Sequence, residues 1–327
     1  MINPFTDRLT KKTIKYKSRN TLMRWLAAIP AGRIESIGLF LGGMLFFLDT
    51  RHRRIVQRNL QFAFPEWRPE KVQATARRVF EHFGTTLLEI LQVSCSSREA
   101  LLRKVDRVEG LENVRHFEND RGAILVTAHL GNWEMANLYA SSALSRPLVA
   151  VARPIKNPWV EQKVIEFRTR FGGELINKKG ALPEMRSALR QGRVLALLVD
   201  QGTKASEGVR VRFFGRHVRA HAAVAVLALR CKVPIIPAFC VKEGNRFKII
   251  VEPPLQLERS GDLRSDIAVN TQKVQHAIER MIRRYPEQWF WFHKRWKTYY
   301  PELYKEDLER KRRQRARRQR KQAAKAR

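Results

Sequence analysis

The sequence predicts an α/β fold with a mostly parallel sheet flanked by helices, and three observations lead there. Apolar runs at 123–128, 147–152, 193–199, 234–240 and 246–252 read as strands: they are short, rich in Val, Ile and Leu, and bounded by Gly, Pro or polar residues. Between and after them lie segments of helical length at 132–143, 157–171, 181–191, 220–231 and 264–284. Strands joined by helices in this way form parallel sheets. Polar residues also gather just past the apolar runs, at the carboxyl edge where open sheets of this kind hold their ligands.

The elements follow in order. Residues 1–24 carry seven Lys/Arg and one acid, then come two apolar stretches, Trp25 to Pro30 and Ile37 to Leu48. The second would make about 18 Å of helix, short of the ~30 Å of a bilayer's hydrocarbon. Arg33 and Glu35 interrupt its extension backward, and Arg51, Arg53, Arg54 and Arg58 follow it. We read a membrane-associated helix that dips into or tilts through a bilayer, making residues 1–50 a basic, apolar anchor. A core helix is the other reading of so short a run. Residues 70–93 repeat Val72, Ala76, Val79, Phe80, Phe83, Leu87 and Leu91 at three- and four-residue steps, which predicts an amphipathic helix. Residues 305–327 hold twelve Lys/Arg against three acids and read as a solvated, disordered basic tail.

The most informative segment is Thr127-Ala128-His129-Leu130-Gly131-Asn132-Trp133-Glu134. His129 ends an apolar strand, Asn132 is suited to cap the following helix, and Glu134 falls in that helix's first turn. A histidine with a carboxylate nearby has what a general base needs: a pKa near neutrality and a partner that fixes the tautomer and balances the imidazolium. The expectation is that Glu134 supplies that carboxylate. Other polar groups follow strands or close helices: Arg153-Pro154, then Arg168 and Arg170, then Asp200-Gln201-Gly202. Phe213-Phe214-Gly215 and the ending Trp289-Phe290-Trp291-Phe292-His293-Lys294-Arg295-Trp296 complete the set. Each has an ordinary explanation alone: a solvated arginine, a capping aspartate, a buried aromatic.

The formal charge of +33 calls for a polyanionic partner, whether nucleic acid, anionic lipid or an acidic protein. About +24 of it lies outside the tail, so the folded part is basic too. Cys95, Cys231 and Cys240 have no CxxC spacing, which argues against a zinc site or disulfide framework and for buried structural thiols in a reducing compartment.

Taken in order, these blocks resemble the lipid A biosynthesis late acyltransferase family of lauroyl- and myristoyl-type transferases, over about residues 20 to 300. The resemblance is carried by Arg54-Ile55-Val56-Gln57-Arg58-Asn59-Leu60, Phe64-Pro65-Glu66, the His129–Glu134 box, Arg153-Pro154, Arg168 and Arg170, Gly192, Asp200-Gln201, Phe213-Phe214-Gly215, Pro237 and Trp291-x-His293-x-Arg295. It implies a glycerolipid-acyltransferase-like α/β domain over 51–304, held at a bacterial inner membrane with its catalytic face on the cytoplasmic side. It also implies transfer of a fatty acyl chain from acyl carrier protein, or from CoA, to a hydroxyl of a lipid A precursor, with no metal or resident cofactor. His129 and Glu134 are then the expected catalytic residues. Arg153, Arg168, Arg170, Asp200 and Gln201 are expected to bind substrate or the transition state, with backbone N–H groups near Gly131 as further oxyanion donors and Asp200 holding an arginine or the acceptor sugar. The sequence departs from the family pattern at Ala152, at His221 and in the long tail.

Three other readings stand beside this one. An acyltransferase of the same mechanism acting on another phospholipid or glycolipid fits the same residues. A non-enzymatic RNA-binding protein would explain the charge, but no RNA-recognition signature is present, and no specific nucleic-acid partner is expected. A metallohydrolase lacks a His-Glu-x-x-His pattern.

Overall fold

The computed structural model describes residues 29–114 and 122–306, with scattered positions from 309 to 319. The basic stretch 1–24, the apolar residues Trp25 to Ala28 and most of the 305–327 tail lie outside the described residues; the tail positions that are described, 305, 306, 309, 310, 313, 316 and 319, are helical where a disordered tail is expected.

Among the described residues Pro30 starts the first helix, α1 (Ala31–Leu48), which runs unbroken through Arg33 and Glu35. Asp49 ends α1 and caps α2 (Thr50–Ala63), accepting a hydrogen bond from the His52 N–H at 3.0 Å. Pro69 opens the amphipathic helix α3 (Pro69–Val93). The α1–α3 crossing is unusually close because glycines form it: a Cβ on Gly38 would meet Thr85 at 2.4 Å, and one on Gly42 would meet the Phe80 carbonyl at 2.3 Å. Ile34 and Phe46 are buried on this side, while Ile37, Leu39, Phe40, Met44, Leu45, Phe47 and Leu48 face outward, Phe40 and Leu48 at 70% exposure. Among the described residues, no helix is long and apolar enough to cross a membrane.

After α4 (Arg98–Leu102) the remainder is a layered α/β unit. Its strands are β1 (Val105–Glu109), β2 (Ala123–Thr127), β3 (Leu148–Ala152), β4 (Glu174–Asn177), β5 (Val194–Leu198), β8 (Ile235–Glu243) and β9 (Arg246–Val251), in the order β1-β9-β8-β2-β5-β3-β4. All neighbours pair in parallel except the β8–β9 hairpin. The helices are α5 (Trp133–Ala143), α6 (Pro158–Arg168), α7 (Ala181–Arg190), α8 (Ala223–Cys231) and α9 (Leu263–Arg284). Strand alternation divides the core: Ile124, Val126, Leu195 and Leu197 point to one face, Ala123, Leu125 and Val194 to the other. The first face is covered by α2, α3, α7, α8 and α9, the second mainly by α5. Each large apolar side chain so buried contributes about 1.5–3 kcal/mol.

Several boundaries differ from the sequence reading. The helix expected at 157–171 stops at Arg168, where the chain turns through a left-handed Phe171. The one expected at 220–231 begins at Ala223, because 216–221 form β7 (Arg216–His221), paired antiparallel with β6 (Gly208–Phe213). Phe214 and Gly215, both with positive φ, make the turn of that hairpin. Of the three cysteines expected to be buried, only Cys240 is; Cys95 is exposed and Cys231 intermediate.

Candidate active site

Strands β2 and β5 are neighbours, with Thr127 opposite Leu198. His129 and Asp200 each lie two residues past this last pair, so the sheet itself brings them together. The His129 Nδ1–H donates to Asp200 Oδ1 at 2.9 Å, and the His129 backbone N–H donates to Asp200 Oδ2 at 3.1 Å. A carboxylate only accepts, so the proton sits on Nδ1 and Nε2 carries the lone pair. Asp200 Oδ2 also accepts the Trp289 indole N–H at 2.8 Å. The turn is clamped from below: the Gly131 N–H reaches Gln288 O, the Asn132 N–H reaches Cys240 O, and the Phe290 N–H reaches His129 O. Gly131 has φ +58, and a Cβ there would lie 2.0 Å from Cys240 O, so only glycine fits.

The electrostatics follow this geometry. Burial pushes the Asp200 carboxyl up, but the charge and hydrogen bonds of His129, with the Trp289 N–H, bring it down to about 2. Burial pulls the His129 imidazole down, and the Asp200 carboxylate, helped by the charge of Glu134, more than offsets it, leaving a net upward shift. Asp200 is 1% exposed, whereas the His129 side chain keeps 23% of its surface open.

The expected roles redistribute. Asp200, not Glu134, is the carboxylate that holds the imidazole, and it holds no arginine. Glu134 lies on the first turn of α5 and grips the Arg168 guanidinium with both oxygens: Nε donates to Oε2 at 3.0 Å and to Oε1 at 3.2 Å, while Nη2 makes a further bond to Oε1. Glu134 therefore acts on His129 through charge, and Arg168 is the arginine beside the site. Arg170 turns away to the Ser94 carbonyl at the end of α3 and stacks on Phe171. The Gly131 and Asn132 N–H groups, expected as oxyanion donors, are already bonded to backbone carbonyls. Gln201 touches the His129 ring, Nε2 to Nδ1 at 3.4 Å. Arg153 is exposed at the end of β3, with its charge felt by Lys178 at the end of β4. Among the described residues no cluster of His, Cys, Asp and Glu suits a metal ion.

An apolar cavity opens between α5 and the sheet, with about 910 Å³ of empty space including its mouth. Thr127, Trp133, Glu134 and Arg168 line it from the site side; Trp133 packs edge-on against His129, centroids 5.0 Å apart. Further lining comes from Tyr139 and Ala140 of α5, from Leu144 just after it, and from Leu125, Ala150, Ala196 and Ala238 of four adjacent strands. Sequence reasoning missed these residues, yet a signal exists: β3, β5 and β8 each place an alanine among larger apolar residues on the α5 face.

Curated relatives cover most of the chain. A lipid A biosynthesis lauroyltransferase of Escherichia coli is 27% identical over 84% of this chain and 89% of its own. A phosphatidylinositol mannoside acyltransferase of Mycobacterium tuberculosis is 27% identical over 66% and 68%. A crystal structure of a 1-acyl-sn-glycerophosphate acyltransferase from Thermotoga maritima aligns over 82% of this chain and 97% of that one, but at 18% identity and a TM-score of 0.35 it bears no weight for the site. The model of the bacterial lipid A biosynthesis acyltransferases matches residues 10–298, and the chain belongs to that family as an enzyme that transfers acyl groups.

Proposed function

We propose that this enzyme moves a fatty acyl chain from a thioester, carried by acyl carrier protein or by CoA, to a hydroxyl of a lipid A precursor. His129 Nε2 takes the proton from the acceptor hydroxyl as its oxygen attacks the thioester carbonyl. Asp200 keeps the imidazole in the tautomer with Nε2 unprotonated and balances the imidazolium that forms. The tetrahedral intermediate collapses with loss of the thiolate, which receives the proton from His129. A positioned base of this kind contributes ~10²–10⁴-fold. Arg168, held by Glu134 through Nε and Nη2, retains donors for the developing oxyanion, where one donor is worth about 3–4 kcal/mol. Among the described residues no Ser or Cys side chain hydrogen-bonds the His129 ring, which favours direct transfer.

The observation that carries this reading is an imidazole braced by a buried carboxylate, with Trp133 between it and an apolar cavity on the α5 face of the sheet. The cavity suits the acyl chain. Arg153 and Lys178, at the carboxyl edge, suit the phosphates of the acceptor, and the basic surface suits an acidic carrier protein.

The outward apolar face of α1, followed by Arg51, Arg53 and Arg54, supports a helix lying in the interface of an anionic leaflet, where each basic residue adds about 1 kcal/mol. A catalytic face on the cytoplasmic side of a bacterial inner membrane follows from the same reading.

One experiment tests the reaction: purified enzyme is given acyl carrier protein or CoA loaded with a labelled acyl chain, together with lipid A precursor in one reaction and mannosylated phosphatidylinositol in another. Transfer to the lipid A precursor is expected. Transfer only to the mannoside would move the enzyme to the second acceptor class, and no transfer to either would overturn the reading.

A further inference from the structure

A largely buried charge network lies beside the catalytic turn. Lys242, near the end of β8, keeps only 10% of its side chain exposed. Its Nζ donates to Glu89 of α3 at 2.8 Å and to Glu35 of α1 at 3.0 Å. The other oxygen of Glu89 accepts from Asn132 Nδ2 at 3.4 Å. Asn132 is fully buried, and its Oδ1 accepts the Met135 N–H at 3.0 Å, capping the helix that starts with Trp133 and Glu134. The backbone of Lys242 is fixed as well: Gln288 bonds its N–H and its C=O, at 2.9 and 2.8 Å, while the Gln288 carbonyl accepts from Gly131. One residue thus touches α1, α3 and the segment that carries the turn between His129 and Glu134.

Nothing in the proposed chemistry uses these charges, and they are costly to hold. Burial pushes the Glu89 carboxyl up, against the opposing pull of Lys242, Asn132 and Lys104. Well-packed apolar residues would fill such a space at no loss of stability. What charge and hydrogen bonding add is direction: they fix the Asn132 amide, and through it the start of α5.

We propose that Glu89 and Lys242 are positioning residues for the catalytic turn, and that Glu35 ties the outward-facing helix α1 into the same network. They orient Asn132, which sets the first turn of α5 and with it Trp133, Glu134 and the Arg168 pair beside His129. The inference rests on His129 being the base. Displacement of a catalytic group by about 1 Å costs on the order of 10²-fold, so a network of this kind acts on turnover rather than on affinity.

The test compares Glu89→Gln, Lys242→Met, the double variant and Glu35→Gln in the full chain, with Glu81→Gln, which breaks only the partly exposed Arg77 pair, as control. Two readouts are taken: kcat and KM per folded molecule, and the NMR titration of His129 in protein labelled at histidine. Glu89→Gln and Lys242→Met are expected to lower kcat about 10- to 100-fold with KM changed less than about twofold, and to shift the His129 signals. The double variant is expected to lose about as much as either single, since the two act as a unit. Glu35→Gln is expected to lose severalfold, and the control to match the parent. Where a single variant does not fold, the double variant, which removes both the Glu89 and Lys242 charges and leaves only the partly exposed Glu35 without its lysine, and Glu35→Gln decide the question. Unchanged kcat and unchanged His129 signals in folded variants would overturn the proposal. Should the parent protein transfer no acyl group, the function falls, while the NMR arm still decides whether the network positions the turn.

Discussion

Asp200→Asn is the sharpest perturbation of the site. The carboxyl is held at about 2, below its ordinary 3.8, so the fold favours its ionised form. That stability is present above the unfolded value and is lost as pH falls toward about 2. The amide cannot reproduce the contacts. Asp200 Oδ2 accepts two N–H groups, from the His129 backbone and the Trp289 indole, so the amide oxygen must take that position. Its NH₂ then faces His129 Nδ1 and donates to it, which moves the imidazole proton to Nε2, the atom that should receive one. Turnover is expected to fall by ~10²–10⁴-fold with KM little changed. Wild-type kcat/KM should show an acid limb above pH 6.5, because the His129 pKa is raised. The limb should move to lower pH in the variant, where burial remains and only the charge of Glu134 still opposes it. The assay is labelled acyl transfer across roughly pH 5 to 9, with circular dichroism to verify folding. Turnover within threefold of the parent and an unmoved limb would refute the assignment of Asp200.

Three further outcomes follow from the same geometry. Trp289→Phe keeps an aromatic ring but removes the 2.8 Å donor to Asp200, and should cost about 1.5–3 kcal/mol of carboxylate stabilisation, read as a rise in the Asp200 pKa and about tenfold in kcat. Ala196→Phe fills the cavity floor under α5 and should shift the preferred donor toward shorter acyl chains, measured by competition between thioesters of different length. Phe40→Ser with Phe47→Ser removes two exposed rings from α1 and should weaken binding to anionic vesicles by about 2–4 kcal/mol, with the melting temperature held within a few degrees.

What could be read from the sequence was local. The strand Ala123–Thr127, the Asn132 cap and the helix after it depend on neighbouring residues, and the structure has them where periodicity and capping predict. The partner of His129 was not local. Asp200 lies 71 residues on, and only the pairing of β2 with β5 makes it the nearer carboxylate. Glu134, five residues away in sequence, is turned by the helix toward Arg168 instead. The β6–β7 hairpin is not expected from the sequence although Val209, Val211 and Phe213 alternate with Arg210 and Arg212, because its arginines leave each strand only a thin apolar face. Strand β1, Val-Asp-Arg-Val-Glu, escaped because an edge strand can afford charged residues. Helix α2 escaped because its arginines read as flanking charge, yet Val56, Asn59 and Leu60 bury one face.

The most direct test of the central claim is the mass of lipid A from cells lacking this chain, complemented with the wild type or with His129→Ala at equal protein level. The account predicts that the wild type adds the mass of one acyl chain and that the variant adds none. Full acyl gain from His129→Ala would contradict it.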